Sequence, residues 1–282
     1  MPGGTLARMR IETRGLTFDV TEGGPPGGPP VILLHGFPQN RHSWAGVTAH
    51  LNTAGLRTFA IDQRGYSPGA RPSGVDAYRQ AECVADAAAF VDELAGGRAD
   101  VVGHDFGALV GWQLAAAHPA RVRSLTAVCV PHPAAFAHAL QTDPDQQQRS
   151  SYIQLFRMVG KAEAVLTRDG GAGLRRVLDG VGDDIDVYAE PLLEPGALTP
   201  ALNWYRALVV EDLAKVGPVE RPTTYVWGDR DVAVGQVAAT LAGEHVTGDY
   251  RFLPLPGVDH WVTEAQPEVL AQAILARIAE AS

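Results

Sequence analysis

Short apolar runs and amphipathic stretches alternate along the first third of the chain. Residues 16–20 read as a strand, and 23–30 as a loop too rich in Gly and Pro for a helix. Residues 31–34 (Val-Ile-Leu-Leu) are apolar at every position, the pattern of a strand buried on both faces. Residues 57–61, 99–103 and 124–130 are further strand-length runs. Helix-length segments at 40–53, 78–94 and 106–118 separate them. In the second segment Val84, Ala88, Val91 and Leu94 recur at helical spacing and form one apolar stripe. Strands alternating with helices predict an α/β fold, a mostly parallel sheet covered on both faces.

From residue 132 to 216 the strand signal vanishes. The stretch holds Gly170-Gly171 and Gly180, and helical segments near 150–167 and 198–213 predict an inserted helical subdomain. The strand pattern resumes at 223–227 and 250–253. A last helix over 267–281 carries Leu270, Ile274 and Ile278 on one face. The predicted organisation is a core of 1–131 and 217–282, interrupted once by a helical cap of 132–216.

Composition narrows the function classes. Of 282 residues, 46% are hydrophobic and 20% charged, which excludes disordered and collagenous chains. The longest apolar run, near 125–130, is strand-sized and far short of a membrane span. Residues 1–5 lack the basic and apolar segments of a secretory leader. A net charge of −9 argues against nucleic acid as a partner and leaves a small-molecule substrate. Cys83 and Cys129 have no CxxC spacing and read as small buried hydrophobes in a reducing cytoplasm. No zinc-like His/Cys spacing, phosphate loop or dinucleotide fingerprint is present, so the reading includes neither metal nor cofactor. It leaves room for a homodimer.

The strongest chemical signal is Gly103-His104-Asp105-Phe106-Gly107, at the junction of a strand and an apolar helix. Such a turn needs small residues on both sides and presents helix N–H groups to the residue at its apex. That apex is Asp105. An Asp there often only caps the helix, but the flanking glycines favour a nucleophile. Gly65-Tyr66-Ser67-Pro68-Gly69 also fits the serine-hydrolase pattern, yet Pro68 has no N–H for an oxyanion, so Ser67 reads as a loop serine. His35-Gly36-Phe37-Pro38 follows strand 31–34, where open α/β sheets bind ligands. The backbone N–H groups of Phe37 and Phe106 together make a two-donor oxyanion hole. Downstream, Asp231 follows strand 223–227 and His260 follows strand 250–253, giving the chain order nucleophile, acid, histidine. Asp229 is the rival for the acid.

On these residues the chain resembles the epoxide hydrolases of the α/β-hydrolase superfamily over essentially its full length. His35-Gly36-Phe37-Pro38 is similar to their HGxP motif, and Gly103-His104-Asp105 to their nucleophile elbow. The resemblance implies an eight-stranded sheet. It also implies that Tyr152 (in Ser-Tyr-Ile-Gln-Leu-Phe) and Tyr205 (in Asn-Trp-Tyr-Arg) donate to the epoxide oxygen. By residue type alone, two such tyrosines read as packing. The expected reaction is epoxide plus water to vicinal diol, through an ester on Asp105 hydrolysed by water that His260 and Asp231 activate. One departure is Phe106, where the family commonly has Trp. The alternatives are a haloalkane or haloacid dehalogenase with the same Asp-His-Asp triad, and a non-catalytic ligand receptor on the same fold.

Overall fold

The computed structural model describes residues 6–281; residues 1–5, read above for a leader, lie outside them. The strands are β1 (Ala7–Thr13), β2 (Leu16–Gly23), β3 (Pro30–Leu34), β4 (Arg57–Ile61), β5 (Ala99–His104), β6 (Val122–Val128), β7 (Thr223–Gly228) and β8 (Tyr250–Leu255). They form one eight-stranded sheet in the order β1-β2-β4-β3-β5-β6-β7-β8. Only the β1–β2 and β2–β4 pairs are antiparallel. The mostly parallel sheet is therefore as expected, with β1 added at its edge.

The all-apolar β3 lies at the centre of this sheet because both its faces are covered. Val31 and Leu33 pack with Val47 and Leu51 of α1 (Ala45–Thr53) and Leu270 and Ile274 of α13 (Pro267–Glu280). Ile32 and Leu34 face the other way, toward Phe90 and Val91 of α2 (Gln80–Ala95) and Trp112 of α3 (Phe106–Ala117). The period-two alternation thus divides one apolar run between two helical layers.

Between β6 and β7 the described α-helices are α4 (Pro133–Thr142), α5 (Pro144–Arg149), α6 (Tyr152–Phe156), α7 (Lys161–Val177), α8 (Ile185–Leu193), α9 (Leu198–Arg206) and α10 (Val210–Leu213). The single helix expected at 150–167 is instead two, parted where Gly160 takes φ 76°. At Gly170-Gly171 the helical backbone is interrupted, with positive φ at Asp169, Gly170 and Gly171, so α7 consists of two helical pieces meeting at a kink. Trp204 fastens this insert to the core by donating its indole N–H to the Arg64 carbonyl at 2.8 Å. Arg64 is itself held by a buried two-pronged pair with Asp86. The remaining helices are α11 (Gln236–Leu241) and α12 (Val262–Ala265), the latter two residues beyond His260.

Strand order reverses at β3, which pairs β4 on one side and β5 on the other. Leu34 and Gly103 are partners there, so the loops leaving β3 and β5 emerge side by side. This is the switch point at which open α/β sheets form their crevice.

Candidate active site

Asp105 occupies the turn between β5 and α3 with φ 51° and ψ −116°, a strained conformation for a residue with a side chain. The turn is tight enough to exclude larger neighbours. A Cβ on Gly103 would lie 2.2 Å from the Gly107 carbonyl oxygen, and one on Gly107 would lie 2.1 Å from that of Leu34. The residue pattern noted in the sequence is thus a packing requirement, and its product is a nearly buried carboxylate.

Two elements divide that carboxylate. The Phe37 N–H donates to Oδ1 at 2.9 Å, and His260 Nε2 lies 3.5 Å from Oδ2. The other imidazole nitrogen, Nδ1, donates to Asp231 Oδ2 at 2.9 Å. Asp231 is fully buried, and its Oδ1 accepts the N–H groups of Ala233 and Val234 at 2.7 and 3.0 Å. Asp229 is turned elsewhere: it is exposed and accepts the Gly257 N–H at 2.7 Å. Geometry therefore brings Asp231, not Asp229, to the imidazole.

The charges in this row support one another. Burial opposes a charged imidazole, but Asp231 and Asp105 outweigh it and hold His260 well above the ordinary histidine range. Burial likewise raises Asp105, yet His260, His104 and the Phe37 N–H bring it below the ordinary carboxylate value. The resting pair is ionic.

The remaining motif residues are supports. His35 Nδ1 donates to the Gly36 carbonyl at 2.9 Å, while Nε2 accepts the Gln63 N–H at 3.1 Å. Burial lowers its pKa to about 3, so it stays neutral. The Phe37-Pro38 peptide is cis. Phe106 begins α3, where an N–H has no acceptor within the helix, and its ring stacks on Trp204 at 4.6 Å. Ser67 is buried and committed, donating to the Asp62 carbonyl and accepting the Asp19 N–H.

Sequence reasoning missed His104 and Cys129 as supports. Both donate to the His260 carbonyl, at 2.9 and 3.2 Å, and fix the histidine loop from beneath. These two residues and His260 are also the one group among the described residues with metal-ligand proximity. All their bonding atoms but one, His104 Nδ1, are already occupied.

Facing the carboxylate, Tyr152 of α6 and Tyr205 of α9 have ring centroids 6.0 Å apart. Burial, and then the neighbouring phenol and Asp105, push Tyr205 well above the ordinary tyrosine value; burial and then Asp105 do the same to Tyr152. Both keep their protons at any working pH. A cavity of about 400 Å³ reaches Asp105, His260 and both phenols, and is otherwise walled chiefly by Phe37, Leu155, Phe156, Leu166, Val232 and Trp261. A larger hollow of about 570 Å³, between α2, α3 and the segment after α9, touches none of the site residues.

A family model described as alpha/beta hydrolase fold matches residues 29–157. The AB hydrolase superfamily protein YfhM of Bacillus subtilis is 33% identical over 94% of this chain and 95% of its own. Epoxide hydrolase A of Mycobacterium tuberculosis is 31% identical over 96% and 97%. Among solved structures, that of the Bacillus megaterium epoxide hydrolase with an inhibitor is 26% identical, covers 96% of this chain and all of its own, and superposes with a TM-score of 0.86.

Proposed function

We propose, for a chain that belongs to the epoxide hydrolase family of the α/β-hydrolase superfamily, the conversion of an epoxide and water to a vicinal diol. The observation that carries this is the divided carboxylate of Asp105, facing an apolar cavity that the phenols of buried Tyr205 and half-buried Tyr152 also line.

Attack at a saturated ring carbon needs a nucleophile that is charged at neutral pH, and a carboxylate is one without any activating base. Oδ1 is held by the Phe37 N–H and remains the carbonyl oxygen; Oδ2 forms the new bond. The ring C–O bond breaks as this bond forms, and the epoxide oxygen takes its proton from Tyr152 or Tyr205. The product is an ester on Asp105.

Forming the ester removes the negative charge beside His260. The imidazole then loses one of the partners that kept it protonated; its proton passes to the phenolate left by the first step, and neutral His260 becomes the base of the second step. His260, oriented by Asp231, takes a proton from water as the water oxygen attacks the ester carbonyl. Donors at Phe37 and Phe106 stabilise the tetrahedral oxyanion by about 3 kcal/mol each. Collapse expels the diol oxygen, which takes a proton from His260, and the Asp105 carboxyl then gives its own proton to His260, restoring the ionic pair. We place the insert of 132–216 as the cap supplying both phenols.

A panel of aliphatic, aryl and bulky epoxides, assayed for diol with wild type and Asp105→Ala, tests the proposal. Diol from wild type alone supports it; no diol from any epoxide, or equal activity of the variant, overturns it.

A further inference from the structure

We propose that Glu264 is a positioning residue for this site, its carboxyl tying the loop of the Phe37 N–H to helix α8 of the insert. This inference rests on the epoxide-hydrolase reading above.

Glu264 lies on α12, four residues after His260. Its Oε1 accepts from Gln39 Nε2 at 2.5 Å and from the Tyr188 hydroxyl at 2.7 Å, and its Oε2 accepts from Thr263 Oγ1 at 2.5 Å. Gln39 is fully buried, two residues past Phe37. Tyr188 is a buried residue of α8. One carboxyl thus joins three parts of the molecule: the oxyanion loop, the segment after the base, and the insert. Two neighbouring bonds run the same way, from Asn40 Nδ2 to the Val187 carbonyl at 3.0 Å and from the Trp261 indole to the Asp179 carbonyl at 2.7 Å. Neither of those can titrate.

The Glu264 carboxyl can. Burial raises its pKa to about 6. In the ionised form its bonds to Gln39, Tyr188 and Thr263 are charge-assisted and about twice as strong as neutral ones. Gln39 Oε1 is buried with no partner, which leaves an acceptor for the O–H of the neutral acid once the amide turns. Each protonation state therefore has its own bonding to Gln39, and the ionised one holds the oxyanion loop as observed.

The other titratable groups on this junction are Tyr188 itself and, beyond it, Asp184 and His42, whose Oδ1 and Nε2 are 3.8 Å apart. The His42 ring lies 6.2 Å from that of Tyr188. Gln39 and Thr263 carry no charge. His42 is exposed, and its replacement is the control for this junction.

The test is kcat/KM of the full-length protein for a neutral epoxide between pH 5 and 8, which reports the free enzyme. Wild type is expected to lose activity below about pH 6. E264Q should abolish this acid limb and His42→Gln should leave it in place. Tyr188→Phe should move it to higher pH, because the Tyr188 hydroxyl lowers the pKa of Glu264. A limb that persists unmoved in both E264Q and Tyr188→Phe, or one that disappears with His42, overturns the proposal. Should E264Q fail to fold, Tyr188→Phe decides alone, an unmoved limb counting against it. Turnover with the wrong pH pattern defeats the Glu264 role only, whereas no turnover of any epoxide defeats the reading beneath it.

Discussion

Gly36 lies directly beneath the Asp105 side chain: a Cβ at residue 36 would come within 2.3 Å of the Asp105 Cβ and 2.4 Å of its Oδ1. The glycine of the HGFP motif is therefore the floor on which the carboxylate rests, one residue before the N–H that holds it. Gly36→Ala is expected to displace the carboxylate and lower kcat by about 100-fold or more, since a shift near 1 Å has that effect on a positioned group. Steady-state kinetics, alongside circular dichroism to confirm folding, checks this. Wild-type kcat in a folded variant would contradict it.

The two tyrosines are expected to act on the first step. Tyr205→Phe and Tyr152→Phe should each slow ester formation by about 10-fold or more through loss of general-acid assistance. Rapid-quench measurement of the first turnover separates this from ester hydrolysis. Unchanged ester formation in either variant would assign that ring to packing.

Asp231 and Asp229 are separable by mutation. Asp231→Asn preserves shape but loses the acceptor that orients the imidazole, and kcat should fall by about 1000-fold or more. Asp229→Asn, which alters only a bond to the Gly257 N–H, should leave kcat within about twofold of wild type. The opposite ranking in kcat would reverse the assignment of the acid.

The pH behaviour of His260 follows from its partners. Its pKa is raised in part by Asp105, so the protonated form is favoured in the resting protein and deprotonation comes only at higher pH. Asp105→Asn removes one negative charge while keeping the shape, and His260 should then titrate at lower pH than in wild type. Imidazole NMR during a pH titration reads this directly. An unchanged titration would mean that ester formation does not turn His260 into a base.

Much of this site is legible in the sequence because its constraints are local. A strained turn demanded Gly103 and Gly107 around Asp105, and a buried loop demanded Gly36 beneath it. The apolar runs of β3 and β5 stand out because both faces of each strand are covered. Edge strand β1 escaped notice because Arg8, Arg10 and Glu12 face solvent and only Ile11 is buried. Asp229 and Asp231 are two residues apart after one strand, so spacing alone gave no choice between them. Their separate partners at Gly257 and His260 decide. The bond from Gln39 to Glu264 spans 225 positions and has no local signature at all.

Everything in the proposed reaction depends on a covalent bond between Asp105 and a ring carbon. His260→Gln, mixed with excess epoxide and digested, should yield the peptide containing Asp105 heavier by the mass of one epoxide molecule, with fragmentation placing the addition on that residue. An unmodified peptide from a variant that no longer makes diol, while wild type converts the same epoxide, would contradict the account.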